Sequence, residues 1–482
     1  MNSIILHLVF IILGIVILYT LRNIKSLYVV HVLISFLSLL FSINALVTKK
    51  FLIQTHIDII QIIPNLFISF SLDGLGIIFL ITSNALWLMT AIYSDKYLEL
   101  NKYKNKAKFY IFFTLSMFAT NAIIYSSNLL TAFIFYEILT ISTYPLVTFK
   151  GDSDSISNGK KYLYYLLGTS IIFLLPAIII IYSIAGTLDY EIGGILASYN
   201  NPLMIKILII LLIFGVAKSA IMPFHKWLPF AMIAPTPVSA LLHAVAVVKS
   251  GVFIIIKVVL YIFGPLILQE SGANIIIILF ASITILLSSI IAIKQDSIKL
   301  RLAYSTIGQL SYIVLAIAIL APYSILAATL HLIFHAIGKI ILFLTAGIIT
   351  TGIGIKKVSE MNGLASKFPY TIFLMSLGAL IMIGIPPTIG FISKWYLIVG
   401  IIESTKIYLL AVIIISTLLN ASYYLPMIYK PYFKSFETKY NESNSEDMRL
   451  VTPVIIIGLA AIILFFNTDS IIIFIQEYII KL

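Results

Sequence analysis

The sequence predicts an all-α polytopic membrane protein of about fourteen transmembrane helices, arranged as two five-helix inverted repeats with one broken helix in each. Three observations carry that prediction. Of 482 residues, 61% are hydrophobic and only 10% charged, where soluble domains are about a quarter charged, and the mean hydropathy is +1.10. Apolar runs of about 20 residues, the length a helix needs to cross a bilayer, follow one another with brief polar breaks. Stretches such as 203–214 and 275–293 are apolar on every side, which excludes the two-residue alternation of a membrane β-barrel.

Taken in order, the runs place helices near 3–20, 27–47, 72–93, 109–126, 128–148, 162–185 and 203–222. Seven more follow near 236–260, 273–293, 302–320, 324–350, 370–402, 406–429 and 450–466. The stretch 471–480 is too short to span and reads as interfacial. The first run lacks a basic leader and a small-residue cleavage site, so it reads as a retained helix. Odd-numbered connections hold 21 lysines and arginines between Arg22 and Arg449, Lys439 among them, and even-numbered ones hold only Lys49, Lys50 and Lys406. Under the positive-inside rule this bias puts the odd connections in the cytoplasm of a prokaryotic cell and both termini outside the plasma membrane. The net charge of +12 is then a topology signal, and nucleic acid is not expected as a partner. The chain divides into a three-helix segment (1–108), two repeats (109–260 and 273–429) and a C-terminal helix with its tail (430–482).

Cysteine is absent, which excludes disulfides, thiolate-held iron–sulfur clusters and cysteine-ligated haem. No nucleotide, flavin or quinone signature is present either. No cofactor is expected on this chain, and any redox chemistry falls to a partner.

Charges at bilayer depth cost about 2.5–3.5 kcal/mol each on insertion scales, so each one needs a reason. Glu137 stands near the middle of its span. Lys218 lies toward the end of the seventh, and Pro223, five residues on, cannot donate to the carbonyl of Ser219. Lys249 is midway along the eighth, with His243 well round the helix from it. His331, His335 and Lys339 recur at every fourth position and so share one helical face. Two histidines at that spacing could begin a zinc site, but no acidic residue or cysteine stands nearby to complete it, so no metal is expected. Pro386 and Pro387 interrupt the twelfth span a few residues before Lys394. A broken helix beside a buried lysine occurs once in each run of five spans, and an odd number of spans gives the runs opposite topology, the layout of an inverted repeat. Lys206 and Lys257, near helix ends, read as snorkelling side chains.

Four segments, AKSAIMPFHKWLPFAMIAPTPVSALLHAVAVVKSGVF, QDSIKLRLAYSTIGQLSYI, HLIFHAIGKIILFLTAG and GIPPTIGFISKWYLI, resemble in sequence and order the antiporter-like subunits shared by respiratory complex I, Mrp-type cation/proton antiporters and energy-converting membrane hydrogenases. The resemblance covers roughly residues 70–430. It implies two interlocked half-channels joined by a central polar axis. Glu137 and Lys218 are similar to the family's glutamate–lysine pair, Lys249 to its central lysine, His331, His335 and Lys339 to the link to the second half, and Lys394 to the terminal residue. Some members carry glutamate at that last position, so Lys394 argues against their branch and leaves the N-type complex I subunit, the D-type Mrp subunit and a hydrogenase counterpart as the members resembled. His225, His243, Pro223, Pro386 and Pro387 are expected to support the path. A movable contact between Glu137 and Lys218 would set whether Lys218 holds its proton, which then passes to Lys249, the histidines and Lys394.

The expected partners are other membrane subunits, homologous antiporter-like ones among them, and a redox arm on the cytoplasmic side. Protons are the expected cargo, and sodium, which needs several oxygen ligands, is left to a partner. The expected function is a proton-translocating subunit of a multisubunit energy-converting complex, with respiratory complex I (NADH-quinone oxidoreductase) placed first. A subunit of an Mrp-type sodium/proton antiporter is the alternative, and a non-conducting membrane anchor is the alternative of another class.

Overall fold

The computed structural model describes residues 3–52, 56–64, 66–435 and 446–480; Lys439 and Lys481 lie outside the described residues. Helices dominate, as apolar runs that must satisfy their own backbone in lipid require. They are α1 Ser3–Thr20, α2 Leu27–Val47, α3 Gly74–Leu100, α4 Lys106–Tyr125, α5 Leu129–Val147, α6 Ser153–Ala185, α7 Pro202–Gly215, α8 Thr236–Phe263, α9 Ala273–Lys294 and α10 Ile298–Ile319. There follow α11 Pro322–Ile353, α12 Pro369–Ile383, α13 Ile389–Glu403, α14 Leu409–Phe433, α15 Met448–Phe466 and α16 Thr468–Ile475. Among the described residues twelve helices are long and apolar enough to cross a membrane, while Pro202–Gly215 and Pro369–Ile383 are shorter apolar helices. Both shorter ones end at a break.

Burial sorts the helices into a centre and a rim. The apolar stretches of α8, α10 and α11 are almost wholly enclosed, whereas α1 and α2 leave most of theirs uncovered. The 32 residues of α11 form the central post, packed against α10, α12, α13 and α3.

Several boundaries differ from the sequence reading. α3 continues to Leu100, so Lys96 is helical and its ammonium pairs with Glu99 at 2.8 Å and Asp447 at 3.6 Å. α6 starts at Ser153, nine residues earlier than expected, because the Asp152 carboxylate caps it by accepting from Ser155 N at 2.8 Å. The hydrogen bonds from Ser155, side chain first and then amide, hold that carboxyl below its ordinary range. The second connection is not simply a loop. Strand β1 (Ile57–Ile63) pairs antiparallel with β2 (Leu66–Phe70), and Asn128 Nδ2 fastens β2 to the start of α5 by donating to Phe67 O at 2.9 Å and Ser69 Oγ at 2.7 Å.

Candidate functional site

The first break begins earlier than Pro223 requires. α7 stops at Gly215, Val216 leaves helical geometry (φ −84°, ψ 56°), Lys218 sits in a single turn Ala217–Ser219, and Ala220 turns left-handed at φ 58°. The freed backbone is re-satisfied locally: Trp227 Nε1 donates to Ala217 O at 2.8 Å, and Ser219 Oγ to Val216 O at 2.7 Å. Gly251 of α8 permits the close approach that builds this turn, since a Cβ there would stand 2.4 Å from Ser219 N.

Lys218 is fully buried, and α5 holds it. Its ammonium donates to Tyr136 O at 2.7 Å and Thr140 Oγ1 at 2.6 Å, and it lies 3.1 Å from the centroid of the Tyr136 ring. Its amide donates to Tyr136 OH at 3.0 Å. Glu137, whose neighbours grip the lysine, makes no ion pair with it within 4.0 Å, and neither carboxyl oxygen has a hydrogen-bond partner among the described residues. The expected pair is therefore apart in this structure. The one backbone carbonyl that Lys218 Nζ reaches is Tyr136 O in mid-α5, which also accepts from Thr140 Oγ1 at 3.1 Å, and not a carbonyl freed by its own broken helix.

At the second break α12 ends at Ile383 and α13 starts at Ile389, with Pro386 and Pro387 between them. Here the broken helix itself supplies the acceptors. The last carbonyls of a helix lack intrahelical partners and carry its negative dipole end, and Lys394 Nζ reaches back to donate to Ile383 O at 2.7 Å and Met382 O at 3.3 Å. Gly384, left-handed at φ 81°, makes room for it, because a Cβ would stand 2.7 Å from Lys394 Cδ.

From Lys249 to the second break runs a file of buried groups. Lys249 Nζ and His335 Nδ1 share a hydrogen bond of 2.6 Å. The rings of His335 and His331 stack at 5.8 Å, 16° from parallel. His331 contacts Ser393 Oγ at 2.9 Å through Nδ1 and donates to Gln309 Oε1 at 3.0 Å through Nε2. Gln309 Nε2 donates to Met382 O at 3.3 Å, the same carbonyl that accepts from Lys394.

Other expected members stand off that file. Lys339 turns toward α10 and α14, donating to Leu302 O at 3.1 Å, to Tyr424 OH at 3.0 Å and to Ser305 Oγ; it is a branch and not a step between His335 and Lys394. His243 faces Thr306 Oγ1 at 3.2 Å, with its Nε2 unpartnered among the described residues. His225 makes a local contact to Pro223 O at 3.2 Å. Lys257 does not snorkel: it is buried, pairs with the Asp73 carboxylate that caps α3, and faces the Tyr190, Tyr261 and Phe253 rings.

No hydrogen bond joins Lys218 to Lys249 among the described residues, and Ser250, beside Lys249, has an unpartnered buried hydroxyl. Buried polar atoms without partners cost about 1–3 kcal/mol each and are the places where interior water is held.

Sequence reasoning missed Tyr136, Thr140, Ser393 and Gln309. Only the last gave a local signal, as the one amide in the apolar run 302–320. Among the described residues no group of three or more histidines or acidic residues is placed to hold a metal.

The family model described as NADH:quinone oxidoreductase/Mrp antiporter, TM, matches residues 126–420. The protein designated antiporter subunit mnhA2 of Staphylococcus haemolyticus (strain JCSC1435) is 31% identical over 77% of this chain and 49% of its own length. Its namesake in Staphylococcus aureus (strain MRSA252) is 30% identical over 82% of this chain and 52% of its own. The chain thus spans about half the length of these curated relatives. Among solved structures, a chain of the membrane-bound sulfane sulfur reductase, an archaeal respiratory membrane complex, superposes with a TM-score of 0.86 at 21% identity, covering 99% of this chain and 97% of that one. A chain of the Mrp complex from Dietzia sp. DQ12-45-1b gives 0.85 at 19% identity, covering 98% and 96%. Both share the fold.

Proposed function

Because the chain belongs to the NADH:quinone oxidoreductase/Mrp antiporter transmembrane family, we propose that it is a proton-translocating subunit of a multisubunit membrane complex. One observation carries the reading: Lys249, His335, His331, Gln309 and Lys394 form a file in which two steps are direct hydrogen bonds, one is a ring stack and the last is a shared carbonyl. Lysine and histidine exchange protons readily, whereas arginine does not; Gln309 and Met382 O position His331 and Lys394, and the proton crosses between those two on interior water.

In this reading 109–260 and 273–429 are the two half-channels, each with a lysine at a broken helix. The separated Glu137 and Lys218 are one position of a switch whose other position brings carboxylate and ammonium together. Water at Ser250 completes the connection from Lys218 to Lys249. Odd connections face the cytoplasm, by the lysine and arginine count.

Two assemblies stand level as the setting. The relatives designated antiporter subunits and the likeness to an Mrp complex support a sodium/proton antiporter. The likeness to a respiratory membrane complex supports a complex I-like or hydrogenase-like machine with a redox arm. Purification in mild detergent separates them: a co-purifying iron–sulfur arm identifies the second, and small membrane subunits alone identify the first. Proton-sensitive dye in vesicles holding the purified complex tests conduction itself, since a non-conducting anchor gives no proton flux. Sodium-dependent dye responses then report whether exchange accompanies it.

A further inference from the structure

A cavity of about 560 Å³ opens on the face that carries the odd-numbered connections, lined by ends of α3, α6, α8, α10 and α11. Three lysines converge on it: Lys150 from the connection after α5, Lys299 from the first turn of α10, and Lys356 from the connection after α11. None makes an ion pair within 4.0 Å among the described residues, and no aspartate or glutamate lines the space. Asp152, the carboxylate acting on Lys150, is engaged in capping α6. Lys299 is half-buried and anchored, donating to Ala234 O at 2.7 Å and Ser239 Oγ at 3.3 Å; as an ammonium it keeps a third proton for an anion in the cavity. A fourth amine stands close by, as Lys161 lies 5.3 Å over the ring of Phe230, a lining residue.

Helix dipoles do not explain the arrangement away. The N-terminal ends of α6, α8 and α10 and the C-terminal ends of α3 and α11 border the space; the end of α6 is already capped by Asp152, and the partial charges of the other four roughly offset. The ammoniums remain as the net field. Asp152 offsets Lys150 in part, but no carboxylate lines the space beside Lys299 and Lys356; like charges so gathered repel one another, and a basic pocket between transmembrane helices is the arrangement that receives acidic headgroups. The rest of the lining is mixed: Asn101, Asn158 and Ser297 are polar, while Pro229, Phe230 and Leu300 give an apolar side that suits a ligand with a hydrocarbon part.

We propose that this cavity binds a phosphate group, carried by an anionic lipid or by a free phosphate compound, through Lys150, Lys299 and Lys356. The site stands whether or not the chain conducts protons.

Native mass spectrometry of the delipidated full complex tests it, with phosphatidylglycerol, glycerol 3-phosphate and inorganic phosphate as three separate probes. The wild type is expected to retain one more molecule of at least one probe than K150Q/K299Q/K356Q, whose binding of that probe is about 10-fold weaker or worse. Retention of phosphatidylglycerol alone assigns the site to a lipid, and retention of a soluble probe assigns it to free phosphate. Because loss of Lys299 removes contacts to Ala234 and Ser239, K150Q/K356Q serves as the second variant; it keeps that anchor and is expected to weaken binding to a smaller degree. Equal retention of all three probes by wild type and both variants overturns the proposal.

Discussion

Replacing Gln309 with leucine is the sharpest perturbation of the file. Gln309 accepts from His331 Nε2 at 3.0 Å and donates to Met382 O at 3.3 Å. Leucine keeps roughly the shape and removes both contacts. Met382 O retains the Lys394 ammonium, so one buried group, the His331 Nε2–H, loses its partner. An unsatisfied buried donor costs about 1–3 kcal/mol. The cost bears hardest on the protonated imidazole, the state through which a proton must pass. At about 1.36 kcal/mol per decade of rate, a mid-range cost of about 2 kcal/mol slows transfer between His331 and Lys394 about 30-fold. The assay is dye-reported proton flux in vesicles, normalised to assembled complex, beside a thermal unfolding curve. The expected result is a roughly 30-fold loss of flux with assembly intact; wild-type flux from assembled Gln309→Leu complex refutes the bridge.

Lys218→Met should leave thermal stability within about 1 kcal/mol, because relief from burying a charge offsets the lost charged hydrogen bonds and Tyr136 O still accepts from Thr140 Oγ1 at 3.1 Å; proton transport, by contrast, should fall to background. Gly251→Ala places a methyl 2.4 Å from the backbone nitrogen of Ser219, so unfolding in a melting assay should come earlier by about 1–3 kcal/mol. Asp296, between α9 and α10, is subject to burial, which raises its carboxyl, and to hydrogen bonds from Ser359 (N 2.9 Å, Oγ 2.6 Å), which prevail and hold it below its ordinary range. A depressed carboxyl stabilises the folded state above its unfolded pKa and loses that contribution as pH falls through the folded one. Stability measured from pH 6 to pH 3 should therefore drop more steeply in the wild type than in Asp296→Asn; parallel curves would count against that contact.

The helices were legible because a bilayer imposes one rule on every apolar run, and both breaks were announced by prolines near lysines. What stayed hidden was tertiary. That Tyr136 and Thr140, rather than Glu137, hold Lys218 depends on how α5 turns against a break 82 and 78 residues further along the chain. His331, His335 and Lys339 share a face by periodicity, yet the neighbours of that face differ, and α10 with α14 draws Lys339 aside. Lys257 looked like a snorkelling end because its partner Asp73 lies 184 residues earlier. The strands at 57–70 were lost among short apolar stretches whose pairing only the packed helices around them define.

Proton flux through reconstituted complex carrying Lys249→Met tests the account most directly, since Lys249 opens the file by its hydrogen bond to His335. The account predicts assembled complex whose flux equals that of protein-free vesicles. Flux equal to the wild type would contradict it.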